Sequence, residues 1–279
     1  MKNNKVWLIT GASQGIGFAA VRYLLSKNQT VIATTRDADT FDKNVIKNPL
    51  LEVISLDLTN EENVEKAVSY VSEKYGTIDI LINNAGFGFV GAIEEASEDE
   101  IAKVLSINVE ATIRMTRYVL PVMRKAGSGH IINLSSASGL VSSAGFGIYN
   151  AAKYAVEGFS EALYHEVKDL GIKVTIIEPG AFRTNFLDSS LAVAKKSITD
   201  YDATAGNFKN ILKGNNGNQP GDPERAAQII LEISEMENPP LRLLLGQDAY
   251  NRVTKKLADM QAEIEKMKYI TLLTGFSNN

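Results

Sequence analysis

The sequence predicts a doubly wound α/β fold, a seven-stranded parallel sheet with helices on both faces. Three observations predict it. Short, predominantly apolar runs recur at Val6–Ile9, Val31–Ala33, Leu51–Leu56, Ile80–Ile82, Ile131–Leu134, Val174–Ile177 and Leu243–Leu245. They have strand length and read as strands buried on both faces. Longer segments with helical spacing separate them, two of them opening with capping-box sequences, Thr59-Asn60-Glu61-Glu62 and Ser97-Glu98-Asp99-Glu100. Finally, the first run leads straight into a glycine-rich turn, Thr10-Gly11-Ala12-Ser13-Gln14-Gly15-Ile16-Gly17, and then a helix-like stretch to about Lys27. Strands alternating with helices call for right-handed crossovers and for ligands beyond the carboxyl ends of the strands.

Composition narrows the function. A chain of 279 residues with 44% hydrophobic content buries a large core. Its seven prolines mark no linker, so one domain over residues 1–279 is expected. A net charge of -4 supplies no basic field, which argues against nucleic acid or an anionic membrane as partner and for a small-molecule substrate. The absence of cysteine excludes disulfides, thiolate metal sites and cysteine nucleophiles. The only two histidines, His130 and His165, lack zinc-ligand spacing, so no metal is expected. From Met1-Lys2-Asn3-Asn4 the chain runs directly into its first strand, and no long hydrophobic segment follows. A cytoplasmic location is the corresponding expectation.

In the turn after the first strand, glycines let the backbone approach a pyrophosphate, and the following helix N-terminus offers free N–H groups. Its Gly-xxx-Gly-x-Gly spacing departs from the general dinucleotide fingerprint and resembles that of the short-chain dehydrogenase/reductase family, whose fold is a single-domain Rossmann fold. Other residues carry the same resemblance over roughly residues 5–185. Asp57 in Leu56-Asp57-Leu58-Thr59 matches the family's adenine-contacting acid, and Asn83-Asn84-Ala85-Gly86 matches the motif closing its fourth strand. Asn108, Ser136, Tyr149 and Lys153 match the catalytic tetrad in its usual order, and Pro179-Gly180-Ala181-Phe182-Arg183-Thr184 matches the nicotinamide-holding segment. The resemblance thus implies a cofactor site of Gly11, Ser13, Gln14, Gly15, Ile16, Gly17, Arg36, Asp57, Leu58, Asn84, Ala85, Gly86, Tyr149, Lys153, Pro179, Gly180, Phe182 and Thr184.

The Tyr-xxx-Lys spacing alone decides nothing, because the chain contains it at Tyr23/Lys27, Tyr70/Lys74, Tyr149/Lys153 and Tyr164/Lys168. An amphipathic helix with a surface lysine accounts for any one pair. Tyr149 differs because it follows the fifth strand and a serine-rich loop, where a doubly wound fold places its ligand. Carbonyl reduction needs an acid for the forming alkoxide, and alcohol oxidation needs the corresponding base. An ammonium about 4 Å from the phenol contributes up to ~4 kcal/mol at an effective dielectric near 20, roughly three pKa units. Lys153 is therefore expected to bring Tyr149 towards neutrality. Ser136 hydrogen-bonds the substrate oxygen on this reading, while the neighbouring Ser135 serves local loop hydrogen bonds. The family resemblance adds ribose binding by Lys153, a relay water held by Asn108, and 4-pro-S hydride transfer.

Cofactor choice falls after the second strand, at Thr34-Thr35-Arg36-Asp37. Thr35 stands where NAD-dependent relatives carry an acid, and Arg36 where an arginine commonly pairs the 2′-phosphate, so NADP(H) is expected, with NAD(H) through Asp37 as the alternative. Residues 186–221 fall where the family keeps its substrate-covering segment and include the polar stretch Gly214–Gly221, read as a lid. Phe182, Phe186, Leu187 and Leu191 are pocket or packing residues. Residues 248–279 form a helical tail, with Tyr250, Val253, Leu257, Met260, Ile264 and Met267 along one side of Asp248–Lys268, expected to pack on its own domain. The tail is similar to those of hydroxysteroid and retinol dehydrogenase relatives, implying a lipophilic substrate. Family dimers form through helices equivalent to Glu98–Arg124 and Ile148–Leu170, so a homodimer is expected, with a tetramer open. The reading is an alcohol–carbonyl oxidoreductase, with a non-catalytic NADP(H) redox sensor of the same fold as the alternative.

Overall fold

A computed structural model describes residues 4–276. The N-terminal Met1–Asn3 and the last three residues of the 248–279 tail lie outside that range. The elements are β1 (Val6–Ile9), α1 (Gly15–Ser26), β2 (Thr30–Thr35), β3 (Leu51–Ser55), α2 (Glu61–Tyr75), β4 (Ile80–Asn83), β5 (Gly88–Val90), α3 (Glu98–Leu105), α4 (Ala111–Ala126) and β6 (Gly129–Leu134). There follow α5 (Gly147–Val167), β7 (Ile172–Pro179), β8 (Leu191–Val193), α6 (Asn207–Gly214), α7 (Pro223–Glu235), β9 (Arg242–Leu245) and α8 (Gln247–Thr271). Among the described residues no helix is long and apolar enough to cross a membrane.

The seven apolar runs become the seven strands of one sheet, in the order β3-β2-β1-β4-β6-β7-β9, parallel at every pairing. Consecutive side chains point to opposite faces. Trp7, Ile9, Val31, Ala33, Ile80 and Ile82 thus pack with α1 and α7, while Leu8, Ile32, Leu81, Ile131 and Val174 pack with α2, α4 and α5. Each large apolar side chain so enclosed contributes about 1.5–3 kcal/mol relative to exposure. The two edge strands correct the expectation of burial on both faces. Leu51 to Ile54 of β3 are only half-buried, as are Arg242 to Leu244 of β9. The sequence reading also omits a second sheet, in which β5 and β8 pair in parallel from Gly88↔Leu191 to Val90↔Val193. Three residues are too few for a periodic signal.

One predicted capping box forms and one does not. Ser97 Oγ accepts from the Glu100 amide at 3.4 Å while Glu100 Oε2 accepts from the Ser97 amide at 2.9 Å. At the start of α2, however, Thr59 donates its hydroxyl to Asp57 Oδ1 at 2.7 Å, so Asn60 caps instead, accepting from the Asn63 amide at 3.0 Å. The tail is helical as expected, but only its first two turns pack on its own domain. Only Ala249 and Val253 of α8 are buried, against Ala137, Leu140, Val141 and Leu244, and its later apolar residues are exposed.

A buried polar network pins the site-bearing helices to the sheet. Asn83 of β4 donates to Asn133 Oδ1 at 2.8 Å and to Thr116 Oγ1 of α4 at 3.0 Å, and Asn133 of β6 donates to Ser160 Oγ of α5 at 2.8 Å. Buried amides left without partners cost about 1–3 kcal/mol. Asn133→Leu is expected to lower unfolding stability by that amount. Urea denaturation followed through Trp7, the only tryptophan and fully buried, measures it.

Candidate active site

The sheet order reverses between β1 and β4, so successive crossovers leave a crevice above their carboxyl ends. The glycine turn lies there. Gly11 and Gly15 have φ of 62° and 63°, a left-handed backbone that glycine adopts without strain. A Cβ on Gly11 would lie 2.7 Å from Ala85 Cα, and one on Gly17 would lie 2.4 Å from Asn84 Nδ2. Two of the glycines are therefore demanded by the end of β4 as well as by any ligand. Asn84 lashes the two strand ends together, donating through Nδ2 to Thr10 O at 3.0 Å and Gly11 O at 2.8 Å. Thr10 Oγ1 in turn accepts from the amides of Asn84 and Ala85.

Facing the turn is the segment after β7. Ser13, Gln14, Gly15 and Phe18 share a cleft of about 300 Å³ with Arg183, Thr184, Asn185, Pro223 and Glu224. Thr184 stands opposite Gly15, and its hydroxyl accepts from the Phe186 amide at 3.2 Å. Asp248, which the sequence reading did not single out, accepts from the Ala181 amide at 2.8 Å and fills the space a Cβ on Gly180 would need. Gln14 donates to Ser190 Oγ at 2.7 Å, a further contact without sequence signal, which ties the covering segment to the glycine turn. At the far end of the crevice, Arg36 is exposed just beyond β2. The Asp37 carboxylate caps its own turn by accepting from the Asp39 amide at 3.0 Å. Asp57 is exposed beyond β3, its carboxyl held below the ordinary range by the Thr59 hydroxyl and amide, and the Leu58 carbonyl accepts from Arg114.

The four tetrad positions come from four places in the chain. Asn108 lies in a π-helical turn, Ser106–Glu110, between α3 and α4, where Oδ1 accepts from the Phe87 amide and Nδ2 donates to the Phe87 carbonyl, both at 2.9 Å. A Cβ on Gly86 would lie 2.5 Å from Asn108 Oδ1 and 3.6 Å from Lys153 Nζ, so the bare backbone of Gly86 lets these groups converge. Ser136, beyond β6, accepts from the Ser138 amide at 3.0 Å. Tyr149 and Lys153 lie in the first two turns of α5, both buried, with Nζ 5.8 Å from the phenol ring centre and donating to Leu134 O at 2.8 Å. The other Tyr-xxx-Lys pairs have exposed lysines; Tyr70/Lys74 is an external cluster on Glu52 of β3. His130 is buried in the sheet beside Thr175, and burial lowers its pKa to about 3.

One electrostatic expectation is overturned. Burial drives the Tyr149 phenol well above its ordinary range, opposed by a hydrogen bond with Ser136, and Lys153 is not among the influences on it. The phenol is walled by Phe146, with ring centres 5.2 Å apart, and by Phe186 at 5.8 Å. Burial also lowers Lys153 to about 8, with the Glu157 charge opposing. Phe186 and Leu191 pack with Val90, Phe146 and Tyr149, and so line the phenol's surroundings. Phe182 instead packs on the α1/α7 face and bridges to Gly221.

Behind Lys153 is a buried acid pair that the sequence reading missed. Arg242 Nε lies 3.3 Å from Glu157 Oε2 and 3.6 Å from Glu178 Oε1. Ser135 faces Glu157, not the crevice, and its buried hydroxyl makes none of the loop hydrogen bonds expected of it. Helical spacing places Glu157 four residues after Lys153, but nothing in the sequence marks the pairing across β7 and β9.

Fold and site together define a nicotinamide-dependent oxidoreductase of the doubly wound class. The short chain dehydrogenase model matches residues 5–193, and the chain belongs to that family. It is 37% identical over 273 residues to Oxidoreductase BOA17 of Botryotinia fuckeliana, covering 97% of this chain and 99% of that one. It is 38% identical over 245 residues to 3-ketodihydrosphingosine reductase of Bacteroides thetaiotaomicron, covering 87% and 88%. A short-chain dehydrogenase structure from Streptomyces avermitilis superposes with a TM-score of 0.92 at 40% identity, covering 98% and 100%. The structure of ElxO with NADP bound superposes with a TM-score of 0.74 at 25% identity, covering 88% and 99%.

Burial and the Glu157 charge raise Glu178 to about 8, with Arg242 opposing. An acid raised on folding binds more protons in the native than in the unfolded chain, so its contribution is lost as pH rises from about 5 to about 8. Thermal denaturation across that range is expected to show native stability falling, and Glu178→Gln flattening the fall.

Proposed function

We propose that the protein interconverts a secondary alcohol and a carbonyl on a small lipophilic substrate, with NADP(H) as cofactor. The observation carrying the proposal is Tyr149: a buried phenol near Ser136 and one helical turn from Lys153, at the carboxyl end of the sheet. The residues around the crevice fit a dinucleotide: a side-chain-free turn, a helix N-terminus and an arginine beyond β2. The bound nicotinamide supplies or accepts the hydride. In the reductive direction Ser136 Oγ positions the carbonyl oxygen, and Tyr149 gives its proton to the forming alkoxide. With water's pKa of 15.7 as a guide to an alkoxide's conjugate acid, a raised phenol still transfers its proton downhill. Lys153, lowered by burial to about 8 and with Nζ 5.8 Å from the phenol ring centre, takes the ribose-binding role that the family resemblance gives it. Asn108 positions a water for proton return.

Engagement of Asp37 by its own turn favours Arg36, and hence NADP(H), in the choice at the end of β2. The lipophilic substrate rests on Phe146, Phe186, Leu191 and Phe208 around Tyr149. It also rests on the similarity to 3-ketodihydrosphingosine reductase of Bacteroides thetaiotaomicron. We place the protein as a homodimer through α3–α4 and α5.

Two variants test the proposal on a panel of ketones, aldehydes, quinones and steroids. Tyr149→Phe is expected to lower turnover about 10²–10⁴-fold while NADPH binding, read by nicotinamide fluorescence, persists. Wild-type protein that binds NADPH tightly but turns over nothing would favour the redox-sensor reading. Arg36→Glu is expected to weaken NADPH binding about 10–100-fold, the value of one charge-assisted hydrogen bond, and to leave NADH binding nearly unchanged.

A further inference from the structure

Helix α8 carries an apolar stripe of which the domain uses only Val253. Tyr250, Val253, Leu257, Met260, Ile264 and Met267 follow one another at alternating intervals of three and four residues, the heptad period that turns one seam of a helix towards a second helix. Val253 is buried in the domain, whereas Tyr250, Leu257 and Ile264 are 56%, 55% and 66% exposed. Beyond the stripe, Tyr269, Ile270, Leu272, Leu273 and Phe276 are also exposed. A contiguous apolar surface of this kind marks an interaction site.

The charges beside the seam select the occupant. Lys255 pairs with Asp259, and Glu265 with Lys268, within the helix. Lys256 and Glu263, which flank the seam on one side, form no ion pair among the described residues. In an antiparallel pair of identical helices, seam positions meet in layers and flanking positions on the same side meet each other. Setting Leu257 opposite Met260 of a second copy also sets Tyr250 opposite Met267, with Ile264 at the level of Val253, which its own domain already covers. That register brings Lys256 beside Glu263 of the second copy, twice by symmetry. Parallel pairing would instead match Lys256 with Gln261 and Glu263 with Lys268, which Glu265 already engages. The antiparallel register also places Thr271 level with Gly246 of the second copy. The exposed apolar tip thus reaches the second copy's body, whereas parallel pairing leaves it in water.

We infer that α8 is a self-association element that pairs antiparallel with α8 of a second copy of this chain. Sedimentation equilibrium of the full chain, of a chain ending at Thr254, and of Leu257→Glu/Ile264→Glu tests this, with NADPH binding as the check on folding. The full chain is expected to have twice the oligomeric mass of either variant, whether the underlying unit is a monomer or a dimer formed elsewhere. Lys256→Glu alone and Glu263→Lys alone are each expected to weaken association about five-fold, and the double variant to restore it. The cysteine-free sequence permits an orientation test. Leu257→Cys mixed with Met260→Cys is expected to form a mixed disulfide under mild oxidation, while Met267→Cys alone is not. Equal masses for the full chain and both variants would overturn the inference, as would a Met267→Cys disulfide. Equal masses with α8-dependent binding to mixed phosphatidylcholine–phosphatidylglycerol vesicles would overturn it in favour of a lipid surface.

Discussion

The site depends on one backbone contact, the seating of the turn after β1 against the end of β4. Gly11 lies so close to Ala85, and Gly17 to Asn84, that neither position has room for a methyl group. The hydrogen bonds between Asn84, Thr10 and Gly11 fix that distance from both strands. These strands flank the reversal in strand order, so whatever fixes their ends also fixes the floor of the crevice. Gly86, the residue immediately after Ala85, then sets how closely Asn108 and Lys153 approach each other.

Burial, more than ion pairing, sets the ionisation of Tyr149 and Lys153. Tyr149 is enclosed by aromatic rings, which makes the neutral phenol its dominant form. Burial lowers Lys153 to about 8 with the Glu157 charge opposing, and its Nζ donates to the Leu134 carbonyl. The acid pair behind it is itself costly to bury, and Arg242 offsets part of that cost. The site is thus electrostatically layered from the phenol through the ammonium and the acid pair to the guanidinium.

The strands, the glycine turn and the tetrad were legible because each leaves a local mark: an apolar run, a spacing, a residue type following a strand. What was illegible depends on contacts between distant segments. Glu157 reads as one more acid on an amphipathic helix until β7 and β9 bring Glu178 and Arg242 beside it. Asp248 and Ser190 act on the Gly180 and Gln14 segments across similarly long separations. The Thr59 box failed for a local reason, since Asp57 competes for the same hydroxyl. Tyr149 departs from the Coulomb expectation because Lys153 Nζ stands 5.8 Å from the ring centre and desolvation of the enclosed phenol outweighs it. The α8 periodicity was read correctly, but periodicity identifies the seam and not the surface that covers it.

The wholly parallel sheet also constrains how the chain is made. No two neighbouring strands can pair through a tight hairpin; each pairing waits for a crossover. β1 meets β2 early in synthesis, but its other side, where Trp7 pairs with Ile80, stays open until the chain through β4 has emerged. Such long-range closure slows folding and leaves an apolar strand edge open to other nascent chains. The feature that creates the crevice, a first strand enclosed between β2 and β4, is therefore also the one that leaves the growing chain with an open apolar edge before β4 arrives.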